Sequence, residues 1–424
     1  MVIHTVQRGD SVYSIAARYG VPAQRILEDN NISDPGRLVI GQALVVITDN
    51  VNYTVMQGDS LYSIANEFNT TVQNILDANP GLSQDLMPGQ VISVPSTGQG
   101  LRAIDVNGYA FPTIRQSVLT DTLPNLTFIS IFSYQVRADG SLIPIEDAPV
   151  IQPARQAGVA PLMVITNIVE GGSFDSDLAS SILGNRQVRQ TVIENVVTTM
   201  NTKNYYGLDI DFEYVYPSDR ENYNAFLREV TERLHPLGYT VTTALAPKVD
   251  LNQRGLLYEA HDYAFHGQYA DHIILMTYEW GYTYGQPQAV APLNLVERVI
   301  QTALQVIPSE KILMGIPNYG YDWTLPFRQG TAARSITLNG AVELARNVGA
   351  EIRFDERAQS PFFNYYDSSG RQHVVWFEDA RSIEAKLRLV NKYNLAGVSY
   401  WTINTFFRPN WLVLRSMYNI SRVL

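Results

Sequence analysis

From residue 102 onward, short apolar runs alternate with stretches of helical periodicity, and that alternation leaves few folds open. The runs are Ala103 to Tyr109, Phe128 to Ser133, Leu162 to Thr166, Gly207 to Glu213, Thr240 to Ala246, His272 to Thr277, Ile312 to Ile316 and Gly397 to Trp401. Their near-continuous apolar character suits parallel strands covered on both faces. Helical stretches at Gln187 to Asn201, Ser218 to His235, Leu293 to Val306 and Ser382 to Tyr393 separate several of them, with Asp379 as the expected cap of the last. Eight such units predict an α/β fold, a closed (β/α)8 barrel of the TIM type over residues 102–424. The interval from Tyr321 to Phe377 is too long for one unit, so a small α+β insertion after strand 7 is expected at 322–377, including a hairpin from Phe362 to Trp376.

The fourth run carries the chemistry. Gly207-Leu-Asp-Ile-Asp-Phe-Glu213 sets Asp209, Asp211 and Glu213 on one face of a strand and Leu208, Ile210 and Phe212 on the other. Desolvating one ionised carboxylate costs several kcal/mol without compensating partners, so three in a row point to acid chemistry rather than packing. Active sites of such barrels lie at the C-terminal strand ends, which makes Glu213 the acid nearest a substrate. Asp211 and Asp209 lie deeper, where mutual repulsion raises at least one carboxyl pKa and suits the row to general-acid work near neutral pH.

The first hundred residues contain a duplication. Thr5-Val-Gln-Arg-Gly-Asp-Ser-Val-Tyr-Ser-Ile-Ala recurs from Thr54, Asn30 recurs as Asn79, and Gly41-Gln42 recurs as Gly89-Gln90. Each copy reads strand, helix, helix, strand. The opening strands are expected at Thr5 to Gln7 and Tyr53 to Met56, and the closing ones at Leu44 to Ile47 and Val91 to Val94. Gly-Asp-Ser supplies a turn and cap, and Tyr13, Ile15, Ala16 and Tyr19, like Tyr62, Ile64, Ala65 and Phe68, are expected mostly in the core. These residues resemble the LysM module, a small α+β domain, at 1–48 and 51–96, with a linker at 97–101. The resemblance implies binding to N-acetylglucosamine-containing glycans.

Composition narrows the function classes. The net charge is −10, which opposes polyanions, so no nucleic-acid partner is expected. The first hundred residues hold four Arg, no Lys and nine Asp or Glu, so glycan binding there relies on hydrogen bonds and apolar contact. There is no cysteine, which excludes disulfides and thiolate chemistry. No apolar run approaches the roughly 18 residues that span a bilayer, and the start lacks the pattern of a secretory signal. A monomer without membrane insertion is expected. The six histidines show no metal-binding spacing, so no metal or cofactor is expected.

Tyr206-Gly-Leu-Asp-Ile-Asp-Phe-Glu-Tyr214 resembles the signature of glycoside hydrolase family 18 and falls on the fourth strand, where that family carries it. Met276-Thr-Tyr-Glu279, Gly315-Ile-Pro-Asn-Tyr-Gly320 and Trp401 are similar to further family motifs. Tyr206 replaces the signature's first acid, and Glu279 an aspartate. The resemblance implies that Glu213 protonates the glycosidic oxygen while the sugar's own 2-acetamido group attacks, with net retention. Asp211 would orient that group, Asp209 would tune Asp211, and Tyr278 would hydrogen-bond the attacking carbonyl. Trp401, Tyr109, Glu279, Met276, Asn318 and Trp280 are the expected substrate contacts, with Tyr319 a weaker candidate. Paired LysM modules before such a barrel look most like the lytic enzymes that act on cortex fragments of bacterial endospores. The implied activity is an N-acetylglucosaminidase on cortex peptidoglycan during germination, located in the spore cortex or coat. A chitinase, a non-cutting chitinase-like lectin and a spore-coat scaffold remain as alternatives.

Overall fold

In the computed structural model the described residues are 1–48, 50–68, 70–95 and 102–424, so the expected linker at 97–101 lies outside them. The first repeat runs β1 (Val2–Thr5), α1 (Val12–Tyr19), α2 (Ala23–Asp29) and β2 (Ala43–Val46). The second runs β3 (Asn50–Thr54), α3 (Leu61–Glu67), α4 (Val72–Ala78) and β4 (Val91–Pro95). Within each repeat the two strands pair antiparallel, Ile3 opposite Val45 and Tyr53 opposite Ile92. Both opening strands end earlier than expected. Asp10 accepts the Gln7 N–H at 2.8 Å and Asp59 the Met56 N–H at 2.7 Å, so the chain has already turned there.

Ser11 and Ser60 cap α1 and α3, each accepting from a backbone N–H three residues on at 3.0 Å while that serine reaches back. Val12, Ile15 and Ile26 pack one small core, and Leu61, Ile64 and Ile75 the other. Tyr13 and Tyr62 depart from expectation, being 68% and 71% exposed. They fall on the outer face of the first turn, because Val12 and Leu61 fill the inward position.

The barrel strands are β5 (Ala103–Ala110), β6 (Phe128–Gln135), β7 (Ala160–Thr166), β8 (Gly207–Asp211), β9 (Thr240–Leu245), β10 (His272–Leu275) and β11 (Ile312–Pro317). An insertion follows as five antiparallel strands, β12 (Gly320–Thr324), β13 (Arg334–Ile336), β14 (Arg353–Asp355), β15 (Ser360–Tyr366) and β16 (Gln372–Trp376). The expected hairpin is β15 and β16, with Phe362 opposite Trp376. The eighth barrel strand, β17 (Gly397–Trp401), pairs parallel with β11 and with β5, so the barrel closes. A short β18 (Asn419–Ile420) adds to the start of β5.

The outer layer is α5 (Gln116–Thr122), α6 (Ala148–Gln156), α7 (Ser176–Leu183), α8 (Arg186–Lys203), α9 (Arg220–Leu234), α10 (Tyr263–Tyr269), α11 (Leu293–Ala303), α13 (Ala380–Lys392) and α14 (Arg408–Met417), while α12 (Leu338–Val348) belongs to the insertion. Asp379 caps α13 as expected, accepting from Arg381 and Ser382. One continuous apolar core joins strands and helices, and it takes in Val39 and Val45 of the first repeat.

Candidate active site

Alternation along β8 turns Asp209 and Asp211 into the barrel and Leu208 and Ile210 toward the helices, all four buried. The strand ends at Asp211, two residues short of expectation. Its ladder to β7 stops at Thr166 opposite Asp211, and Phe212 then stacks with Tyr223 and Phe226 of α9. Glu213 therefore sits beyond the sheet, part-buried, followed by Tyr214 at φ +54°.

The three acids share an environment that favours protons. Burial pushes Asp209 up to about 6, against the opposing pull of the Tyr109 and Ser130 hydroxyls. Ser130 Oγ donates to Asp209 Oδ2 at 2.8 Å and lies 3.1 Å from Asn107 Oδ1. Burial first, then the charges of Glu213 and Asp209, hold Asp211 well above the usual carboxylate range. Its Oδ1 has no hydrogen-bond partner among the described residues. Glu213 is pushed up to about 7 by burial and then by the Glu279 carboxylate.

Above these acids opens a cleft of about 820 Å³ lined by Asp211, Glu213, Tyr109, Met276, Tyr278, Glu279, Trp280 and Trp401 among others. Trp401 closes β17 and meets Tyr109 and Phe132 edge-on at 5.2 and 4.9 Å between ring centroids. Met276 and Tyr278 follow the end of β10 and are 8% and 9% exposed. Burial, followed by the Asp211 and Glu213 charges, raises the Tyr278 phenol well above its usual value, so its hydroxyl stays protonated and able to donate. Glu279 takes hydrogen bonds from Tyr319 and Tyr321, and burial raises its carboxyl despite them.

Asn318, expected at the substrate, is differently engaged. Its Nδ2 donates to the Thr402 and Thr405 carbonyls, both at 2.9 Å, and its N–H to Trp401 O at 2.9 Å. It braces the chain just after Trp401. Tyr206 in place of an acid packs on Phe128 at 6.1 Å, so the acid row begins at Asp209.

Several cleft residues escaped the sequence reading: Phe174, Tyr214, Leu256, Tyr258 and Tyr282 come from loops whose course no local pattern gives. Asn167 and His261 were missed as well, although Asn167 directly follows β7, where polar residues at strand ends face the site. Among the described residues no group of His, Asp and Glu could hold a metal ion. No described helix is long and apolar enough to cross a membrane.

Residues 151–405 match the model of glycosyl hydrolases family 18, and residues 4–46 and 53–95 each match the LysM domain. The chain is 43% identical to a cortical fragment-lytic enzyme of Bacillus cereus, covering 99% of both chains, and 41% identical to one of Bacillus subtilis (strain 168), covering 100% of this chain and 99% of the relative. The solved spore cortex-lytic enzyme SleL of Bacillus megaterium QM B1551 superposes with a TM-score of 0.89 at 36% identity, over 100% of this chain and 99% of that one. The chain belongs to glycosyl hydrolases family 18 and is a glycoside hydrolase with two LysM domains.

Proposed function

We propose that this family 18 hydrolase cuts N-acetylglucosaminyl bonds in spore-cortex peptidoglycan or its fragments, with Glu213 as the proton donor. The observation that carries the reading is Glu213 in the cleft, with a carboxyl raised to about 7 and a buried acid row beneath it. A group that keeps its proton near neutral pH can give it to a leaving oxygen.

In this scheme Glu213 protonates the glycosidic oxygen as the C–O bond breaks. The carbonyl oxygen of the sugar's 2-acetamido group bonds the anomeric carbon from the opposite face, giving an oxazolinium ion. Water then bonds the anomeric carbon as the oxazolinium C–O bond breaks and the acetamido group is restored, its proton passing to Glu213, and the configuration is retained. The unpartnered Asp211 Oδ1 would accept the acetamido N–H and offset the positive charge of the ring. Asp209 tunes Asp211, Tyr278 Oη donates to the acetamido carbonyl, and Trp401 offers its ring to a sugar face. The cortex enters through the cortical fragment-lytic relatives, which match nearly end to end. We place the domain limits at 1–48, 51–96 and 102–424, and infer a monomer working in the spore cortex or coat.

Turnover of cortex muropeptides and of chitin oligomers by the intact protein and by Glu213→Gln tests the scheme. The substitution is expected to lower turnover by about 10² to 10⁴ with glycan retention unchanged. Unaltered turnover would remove Glu213 from its role. Because the acid acts in its protonated form, kcat is expected to fall as pH rises through about 7.

A further inference from the structure

Among the described residues Glu213 has no sheet neighbour to hold it, since the β7–β8 ladder ends at Thr166 and Asp211. Side chains take over where the ladder stops. Glu213 N–H donates to Asn167 Oδ1 at 2.9 Å, and Asn167 Nδ2 donates back to Glu213 O at 2.8 Å. Both peptide groups flanking the acid's Cα are thus clasped by one fully buried amide, in the pattern a neighbouring strand would provide. On one side His261 Nε2 bonds Phe212 O at 2.9 Å, its Nδ1 accepting from Ala246 N–H at 2.8 Å, which fixes the tautomer. On the other, Ser176 Oγ donates to Tyr214 O. Three consecutive carbonyls therefore each accept from a different side chain, and Tyr214 is held in the left-handed region, which non-glycine residues rarely adopt. Asn167 is also tied to the cleft wall, its Nδ2 donating to Asp175 O at 3.0 Å and its carbonyl accepting the Asp175 N–H at 3.0 Å.

We propose that Asn167 is a positioning residue for catalysis: its side-chain amide replaces the missing strand partner of Glu213 and fixes the acid's backbone, and so its carboxyl, at the cleft. The proposal rests on the reading of Glu213 as the proton donor. Misplacing a reacting group by about 1 Å can cost about 10²-fold in rate, so a clasp of this kind governs turnover more than substrate affinity.

Full-length Asn167→Ala, Glu213→Gln and Asn125→Ala are compared on a soluble N-acetylglucosamine-containing fragment. Asn125 is a buried asparagine remote from the site, donating to Asp121 O and Thr122 O. For Asn167→Ala the expected result is a kcat lowered about 10²-fold, with KM within about threefold, and an alkaline limb moved to lower pH as the freed carboxyl reaches water and loses its proton more readily. Asn125→Ala is expected to keep kcat and the pH profile. An unmoved limb, or the same loss in Asn125→Ala, overturns the proposal. Should Asn167→Ala not fold, Ser176→Ala, which removes only the Tyr214 contact, is expected to move the limb the same way with a smaller fall in kcat, and an unchanged profile would overturn the clasp. The two readings fail separately. Activity retained in Glu213→Gln defeats the acid assignment, whereas activity lost there and kept in Asn167→Ala defeats only the clasp.

Discussion

The two LysM copies have the same skeleton and different surroundings. Asn30 ties α2 to β2 with bonds of 2.7–2.9 Å to Ile26 O and to both backbone groups of Val45, and Asn79 does the same for Ile75 and Ser93 in the second copy. Their outer faces diverge. Val39, 4% exposed, corresponds to Met87, 70% exposed, and the fully buried Val45 corresponds to the half-buried Ser93. The loop before β2 is seated on the barrel domain. Ile352 N–H donates to Ile40 O at 2.9 Å, Arg381 to Gly41 O at 3.1 Å and Arg346 to Arg37 O at 3.0 Å, while Arg408 meets Asp29 at 3.3 Å. Val39 and Val45 of the first copy thereby join the barrel's core, and the second copy keeps the matching loop in solvent. Duplication supplied one fold twice, and the outer faces, Val39 and Val45 against Met87 and Ser93, meet different surroundings.

Deleting each copy in turn is the strongest test of this contrast. Fully burying a valine is worth about 1.5–3 kcal/mol, so loss of residues 1–48 is expected to strip several kcal/mol from the catalytic domain and to lower its Tm. Loss of residues 50–95 is expected to leave the barrel's melting unchanged while weakening pelleting with insoluble peptidoglycan. Equal melting of the two truncations would erase the distinction.

Glycine replacement gives a smaller effect. Gly41 and Gly89 both have positive φ, +81° and +86°, so alanine costs about 1–2 kcal/mol of backbone strain at either. Only at Gly41 would the new Cβ also lie 1.8 Å from Ile352 O, whereas no atom of the described residues lies within 4 Å at Gly89. Gly41→Ala is expected to lower Tm clearly more than Gly89→Ala, and matching shifts would argue against the docked loop. Val45→Ser, which copies the second module into the first, is expected to destabilise by about 1–3 kcal/mol in denaturant titrations, and Ser93→Val by less than about 0.5 kcal/mol.

The smallest effect is acid sensitivity. Asp10 is held below the usual carboxylate range, first by the Gln7 N–H and then by His4, whose Nε2 lies 2.9 Å from Asp10 Oδ2. A carboxyl depressed in the folded state stabilises above its unfolded value and loses that contribution as pH falls through the folded one. Hydrogen exchange at Ile15 is expected to quicken below about pH 3.8 in the wild type. In the second copy Tyr53 takes the place of His4 and donates to Asp59 at 2.7 Å, so His4→Tyr offers the direct comparison.

Much of this was legible from residue order. The period-2 acid row, the eight apolar runs and the repeated Gly-Asp-Ser-x-Tyr-Ser-Ile-Ala follow from local backbone geometry, which depends on neighbours in sequence. The exposed Tyr13 and Tyr62 were misjudged because helical spacing names a face without saying which residue of the first turn wins the inward position. Asn318 was expected at the sugar, and only the fold shows its amide committed to the carbonyls after Trp401.

Residue order alone settles the barrel, the two modules and the row of neighbouring carboxylates. Only folding leaves the acid past the end of its strand, brings Asn167 from 46 positions earlier onto its backbone, and seats Val39 and Val45 of the first module in the barrel's core. The difference is one of range: side-chain alternation and capping act within a few residues, whereas burial, pKa and a hydrogen bond between remote segments depend on what the fold brings into contact.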